Sequence, residues 1–389
     1  MFALWILVLF FSRSVLSDQE LKLVHVVFSH KMYAPIQINQ NNTFMFPEKL
    51  DYKYFLESTD DMVNSAKLDM YNLGVFLRQR YNYFLGDIFH PEIMRMRTTE
   101  YPLSMISGLL VDAGLWPPAE AQKWEANLNW QPVPTDYLAA DRDTLLLGSL
   151  CPSFIEDEKK AQVAKTSDEH KLLYSTLTEN YGSKIEKPSD VALLLSTFRT
   201  IVDSNLSLPT WAKELYPDKL LDATFLSYEQ LAETKRQIQL NGGTLLQKII
   251  NNSMAHEKSN GTSKLKILMY SAEERTLIGL LKIMNSWSPH ILSPAAALLF
   301  EVYADSVTNK YAIKMMFYTY NETVPFHLQN CSEYCLLEDY STQLKSVLPE
   351  NATALCQLET SKNPNSSPIL TTNTILLFIL LSFTIINVT

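Results

Sequence analysis

The stretch LKLVHVVFSH, residues 21 to 30, decides the fold. From Leu21 to Phe28 it is mostly apolar and rich in β-branched residues, so it has the length of a strand without the in-out alternation of a half-exposed one. Such a run marks a strand covered on both faces, the kind found in a parallel sheet flanked by helices. It stops at Ser29-His30 and enters a loop closed by Pro35. Ligands of open α/β sheets lie beyond the carboxyl ends of the strands, so His30 stands where chemistry is expected.

The flanking sequence supports that reading. Residues 60 to 85 place Met62, Ala66, Met70, Leu73, Leu77 and Tyr81 at helical spacing. Glu92 to Met96 reads as a second strand, then come Arg97-Thr98-Thr99 and a helical run from Leu103 to Gly114. Strand, helix, strand, helix predicts an α/β fold with a mostly parallel sheet flanked by helices. The chain then turns Trp- and Pro-rich (116 to 134). From Glu156 to about Asn252 it reads as helices broken by Gly182, Pro188 and Pro209. Strand character returns at Lys264 to Tyr270, Leu298 to Tyr303 and Tyr311 to Tyr318, with a helix from Thr276 to Asn285. The division expected is an α/β domain in two parts, 18–130 and 256–360, around a smaller, mainly helical insertion, 131–255. Three strand ends matter: Ser29 to Pro35, Arg97 to Thr99 and Ser271 to Thr276.

The 389 residues, 47% of them hydrophobic, can bury a large core. The net charge of −9 argues against nucleic acid, because binding a phosphate backbone needs a basic face. Residues 2 to 11, FALWILVLFF, followed by Val15-Leu16-Ser17, predict a secretory signal over 1–17, although a basic n-region is missing. At the other end, polar residues 362 to 367 precede an uncharged, largely apolar run from Ile375 to Val388. That order matches a GPI-anchor signal within 361–389, with a membrane-spanning helix as the alternative; either gives a membrane attachment through the tail. Seven sequons, at Asn41, Asn205, Asn251, Asn260, Asn321, Asn330 and Asn351, agree with export and glycosylation. Four cysteines, Cys151, Cys331, Cys335 and Cys356, should pair in an oxidising compartment, and spacing alone leaves three connectivities open. His25 alternates within the strand and reads as a core histidine. His90, His170, His256, His290 and His327 show no metal spacing, so neither metal nor cofactor is expected.

The sequence resembles the histidine acid phosphatase family, close to the prostatic, lysosomal and insect venom acid phosphatases. The likeness runs from LKLVHVVF through Leu73-Gly74-Val75-Phe76-Leu77-Arg78-Gln79-Arg80-Tyr81, Cys151-Pro152 and Met269-Tyr270-Ser271-Ala272 to the Cys331/Cys335 pair. It implies a histidine-phosphatase-like α/β domain with a helical second domain, disulfides Cys151–Cys356 and Cys331–Cys335, and pairing as homodimers. It also implies a catalytic set in which His30 is the nucleophile, Arg97 holds phosphate and Glu274 stands at the proton-donor position.

The signature has decayed around those positions. Where the family carries RHGxRxP this chain reads Ser29-His30-Lys31-Met32-Tyr33-Ala34-Pro35, and the late His-Asp pair is replaced by Glu273-Glu274. Each lost part has a task. The imidazole takes up the phosphoryl group in a covalent intermediate. Guanidinium forks bind its oxygens and stabilise the charge that spreads over them, and the acid protonates the leaving alkoxide. Counting these positions, the cleft has moved by about three unit charges toward negative, and one like-charge contact at ~4 Å costs about 4 kcal/mol at an effective dielectric of ~20. Removing one positioned oxyanion donor costs about 10² to 10³ in rate, so losing two arginines costs on the order of 10⁴ or more. Lys31, Tyr33 and Arg275 are the candidates to replace lost donors. The expectation is a catalytically impaired member whose cleft takes a phosphomonoester or another anion weakly. The alternative is an active acid phosphomonoesterase working through a phosphohistidine at His30.

Overall fold

The computed structural model describes residues 19–30, 62, 64–181, 184–203, 207–319 and 322–358. The expected signal segment 1–17, Lys31 and Tyr33, the sequons at Asn41, Asn205 and Asn321, and the tail 361–389 lie outside the described residues.

Strand β1 (Gln19–Ser29) is buried without interruption from Leu23 to Ser29. Its side chains feed two different cores. Val24, Val26 and Phe28 point to one face, where α1 (Asn64–Leu85) and α2 (Pro102–Leu115) bring Met70, Leu73, Leu77, Val111 and Leu115. Leu23 and Val27 point to the other, with the rest of the chain supplying Leu245, Ile249, Leu277, Leu281 and Tyr340. Each fully buried side chain of this size contributes roughly 1.5 to 3 kcal/mol, which is why a strand apolar on both sides is stable only between two helical layers.

After α1 come β2 (Met94–Thr98), α2 and the two-residue β3 (Thr135–Asp136). A helical stretch follows: α3 (Pro152–Lys165), α4 (Asp168–Tyr181), α5 (Pro188–Asp203), α6 (Thr210–Lys213), α7 (Asp218–Glu229), α8 (Lys235–Ile238) and α9 (Thr244–Lys258). Residues from α4 to α7 enclose a third core around Leu177, Leu194, Phe198 and Leu220. The chain returns to the sheet through β4 (Ile267–Ala272), α10 (Glu274–Ile283), β5 (Ala297–Asp305), β6 (Tyr311–Thr319), β7 (Glu322–Phe326) and β8 (Cys335–Leu336), and ends in α11 (Leu337–Leu344) and α12 (Ala352–Cys356).

The sheet runs β3-β2-β4-β1-β5-β6-β7, with β8 on β6. From β3 to β1 the pairings are parallel, and from β1 through β5 to β7 they are antiparallel. β1 therefore lies where the sheet changes direction. β2 begins at Met94 rather than at Glu92, because Pro91 to Ile93 form a turn whose Ile93 N–H closes on His90 O at 3.0 Å; the strand consequently carries Arg97 inside it. The short β3, β7 and β8 have no counterpart in the sequence reading. Bridges join Cys151 to Cys356, with Cα atoms 4.8 Å apart, and Cys331 to Cys335. No helix among the described residues is long and apolar enough to cross a membrane. The described residues through Gln357 make one compact unit, and of the remainder only Leu358 is described.

Candidate active site

Register brings the strand ends together. Ser29 of β1 pairs with Ala272 of β4, and Thr98 of β2 pairs with Ser271, so His30, Thr99 and Glu273 emerge side by side. Thr99 N–H donates to Ser104 Oγ at 3.0 Å, and Ser104 Oγ–H donates to Ser271 O at 2.8 Å, which ties the start of α2 to the end of β4. Glu273 is the N-cap residue of α10, with extended backbone (φ −81°, ψ 154°), and Glu274 opens the helix. Behind that helix a π-helical turn, residues 239 to 243, approaches so closely that a Cβ on Gly279 would lie 2.1 Å from Asn241 O. Asn241 Nδ2 donates to Arg275 O at 2.9 Å, fixing the first turn of α10 from behind.

His30 is 7% exposed. Its Nε2 lies 3.5 Å from Glu273 Oε2, and Thr99 Oγ1–H donates to Glu273 Oε1 at 3.3 Å. His30 Nδ1 is buried and has no hydrogen-bond partner among the described residues. Arg97 gives its Nη2 to Asp143 Oδ2 at 2.8 Å. Asp143 is buried, and burial pushes its carboxyl up from the ordinary range against the opposing pull of the Leu146 N–H and the Arg97 guanidinium.

A cavity of about 80 Å³ opens beside this cluster, lined by Ser29, His30, Ser196, Arg199, Tyr228 and Glu274 among others. Burial pushes the Tyr228 hydroxyl up first, and the adjoining Glu274 carboxylate, which accepts its hydrogen bond, adds to the shift. Arg275 belongs elsewhere: its guanidinium pairs with Glu158 and lies over the Phe154 ring at 5.7 Å, and it is not part of the cavity wall. Among the sequence-derived site residues the structure thus gathers Ser29, His30, Glu273 and Glu274, holds Arg97 against a carboxylate, and turns Arg275 away.

Three site residues escaped the sequence reading. Arg199 lies on α5 in LLLSTFRT, Tyr228 lies in the last turn of α7 and Asp143 sits in the turn DRDT. The alternation of a charge with the apolar face of α5 was the one local signal available for Arg199, and it reads equally as a helix edge. No group of three or more His, Cys, Asp or Glu able to hold a metal ion is found among the described residues.

Residues 26–318 match the family profile described as histidine phosphatase superfamily (branch 2). The chain is 29% identical over 346 residues to venom acid phosphatase Acph-1 of Apis mellifera, covering 87% of this chain and 88% of that protein. It is 27% identical over 377 residues to the prostatic acid phosphatase of Homo sapiens, covering 92% and 93%. Among solved structures, a Hafnia alvei phytase in complex with myo-inositol hexakis sulphate superposes with a TM-score of 0.62 at 15% identity, over 87% of this chain and 99% of that one. That likeness speaks to the fold.

Proposed function

The chain belongs to branch 2 of the histidine phosphatase superfamily, and from that premise we propose that it is an exported member whose cleft no longer hydrolyses phosphomonoesters at a useful rate. One observation carries the reading: the Nε2 edge of His30, where an incoming phosphoryl group would have to arrive, faces the Glu273 carboxylate at 3.5 Å. A dianion entering there meets a fixed negative charge, and one such contact at ~4 Å opposes it by about 4 kcal/mol. Arg97, the guanidinium that matches the family's phosphate clamp, is neutralised by Asp143 at 2.8 Å. What survives is an imidazole in place whose matching clamp, Arg97, is turned to a carboxylate of the protein instead of to the transition state.

Export rests on the relatives, named as venom, lysosomal and prostatic acid phosphatases, and on the signal-like start. The four described sequon asparagines, Asn251, Asn260, Asn330 and Asn351, are all exposed, as glycan attachment requires. The same proposal includes attachment to the cell surface through a GPI anchor, self-association as a homodimer, and the helical stretch 131–255 as an inserted domain with its own core. Release of the protein from cells by a phosphatidylinositol-specific phospholipase checks the anchor; retention on the membrane points to a spanning helix.

A second reading, a working acid phosphatase, draws on Arg199 and Glu274 lining the cavity that His30 lines, a guanidinium and an acid beside the nucleophile position. The deciding experiment is hydrolysis of an aryl phosphate at acidic pH by the protein and by His30→Ala. We expect no turnover that depends on His30; turnover abolished in His30→Ala overturns the proposal in favour of the second reading.

A further inference from the structure

One sequon overlaps a disulfide. It reads Asn330-Cys331-Ser332, and no other N-x-S/T frame in the chain has a cysteine in its middle position. Cys331 is bridged to Cys335, four positions on, so the frame runs directly into a closed loop. Asn330 itself is exposed, in a turn where the Cys331 N–H donates to Leu328 O at 3.0 Å. An exposed amide leaves room for a glycan on the folded surface.

What the closed loop takes away is the frame as a substrate. Glycosyl transfer to an N-x-S/T asparagine uses the hydroxyl of the third residue, on a segment free to be held by the transferase. In the loop Ser332 Oγ–H donates to Tyr334 O at 2.8 Å instead. The loop is also fastened to the sheet. Cys335 pairs with Ile313 of β6, Glu333 takes the Lys314 ammonium at 2.6 Å, and the Tyr334 ring lies 5.4 Å from that ammonium and edge-on to Tyr303 at 5.2 Å. Ile313, Lys314 and Tyr303 all precede the loop in the chain, so they are already synthesised when Cys335 appears.

We propose that glycosylation of Asn330 and closure of Cys331–Cys335 compete for the same segment: a glycan enters only while the pair is reduced, and a loop that closes first keeps Asn330 bare. The transfer joins Asn330 Nδ2 to the anomeric carbon of a lipid-pyrophosphate-linked oligosaccharide. The sugar–phosphate C–O bond breaks, and one amide proton leaves with the lipid pyrophosphate. Closure joins the two Sγ atoms, and the two electrons and two protons pass to a protein disulfide of the secretory pathway, which becomes a dithiol. Synthesis delivers about 5 to 20 residues per second, so Cys335 follows Asn330 within about a second. Short loops find their ends in well under a microsecond, so oxidation, taking seconds or longer, sets the rate of closure and leaves the transferase a window. The exported protein is then a mixture of two forms, both bridged, that differ in the glycan at Asn330. This inference rests on the reading that the chain is exported.

The test uses the full chain made in animal cells. Peptide mass spectrometry of total cell protein, after enzymatic deglycosylation in heavy-oxygen water, marks each asparagine that carried a glycan. Three samples are compared: wild type, Cys335→Ser, which leaves the frame itself unchanged, and wild type pulsed with a thiol reductant during synthesis. Asn330 occupancy should rise about twofold or more over untreated wild type in both other samples, because one of two processes of comparable rate has been removed. Asn260, whose frame Asn260-Gly261-Thr262 holds no cysteine, should not change. The reductant sample needs no substitution, and glycans are added before folding is complete, so a variant that misfolds still reports. Asn330 equally occupied in all three samples, or bare in all three while Asn260 is glycosylated, overturns this inference and leaves the export reading standing. No glycan on any sequon sinks the export reading, and this inference with it.

Discussion

Two glutamates on this sheet are held in opposite ways. Glu301, in the middle of β5, is 1% exposed and accepts three hydrogen bonds, from Arg80 Nε at 2.8 Å, Tyr81 OH at 2.7 Å and Tyr303 OH at 2.8 Å. Glu273, at the mouth, accepts one bond from Thr99 at 3.3 Å, has the edge of His30 at 3.5 Å, and keeps about a quarter of its side chain open. The buried carboxylate pushes up the hydroxyls around it, with burial the first cause for both Tyr81 and Tyr303 and Glu301 the second. A buried carboxylate with three donors spread over both oxygens serves the scaffold and has little left for a ligand. Among the described residues Glu273 and His30 have fewer partners than Glu301, and His30 lines the cavity.

This contrast can be broken most severely at Glu301. Glu301→Ala leaves Arg80 half-buried and two tyrosine hydroxyls without their acceptor, and should cost about 3 kcal/mol or more in denaturant unfolding. A loss under about 1 kcal/mol would show that the network is ornamental and that saturation does not separate the two sites. Next comes the support behind the mouth. Gly279→Ala sets a methyl against Asn241 O and should destabilise by about 1 to 3 kcal/mol in denaturant unfolding.

The third test is the pH dependence of the scaffold. His25 faces the core from β1, with Nε2 3.2 Å from Ser253 Oγ. Burial, helped by the nearby positive character of His256 and Lys248, pushes its imidazole from 6.5 down to about 3. The folded protein resists that proton while the unfolded chain takes it, so the contribution of His25 is intact above pH 6.5 and is lost as pH falls towards about 3. The slope is up to about 1.4 kcal/mol per pH unit. Unfolding curves between those limits should show this acid sensitivity, and His25→Gln should flatten it. A wild-type curve already flat there removes the argument. The smallest effect belongs to Glu273→Gln, which should change stability by under about 1 kcal/mol, because the carboxylate is loosely held. Its signature is instead an added rise in melting temperature with vanadate, since one repelling charge is gone. A drop in stability as large as that of Glu301→Ala would make the two glutamates equivalent.

The sequence made the scaffold legible wherever one segment carried its own pattern. The unbroken apolar run of β1 announced burial on two faces, and the spacing of Met70, Leu73 and Leu77 announced α1. Patterns shorter than a period say nothing: β3 and β8 have two residues each, and β7 carries Pro325, which an edge strand tolerates and a pattern search reads as a break. At the site, His30, Glu273 and Glu274 were legible because each follows a strand of the parallel half, and Arg97 because it lies one residue before the end of β2; their roles came from the family resemblance. Asp143, Arg199 and Tyr228 come from a turn and two helices, and only tertiary folding brings them to the strand ends. Arg97 shows the cost of that gap most clearly, since the sequence counts it as a free clamp and the structure gives it a counter-ion.

The double ladder of β1 has a consequence for which substitutions the mouth tolerates. With Ser29 bonded to Ala296 on one side and paired in register with Ala272 on the other, the backbone that presents His30 is set by main-chain geometry that no mouth side chain helps to build. Residues just past the ladder can therefore be exchanged without the architecture noticing. The strand ends can thus carry different side chains on one unchanged backbone frame.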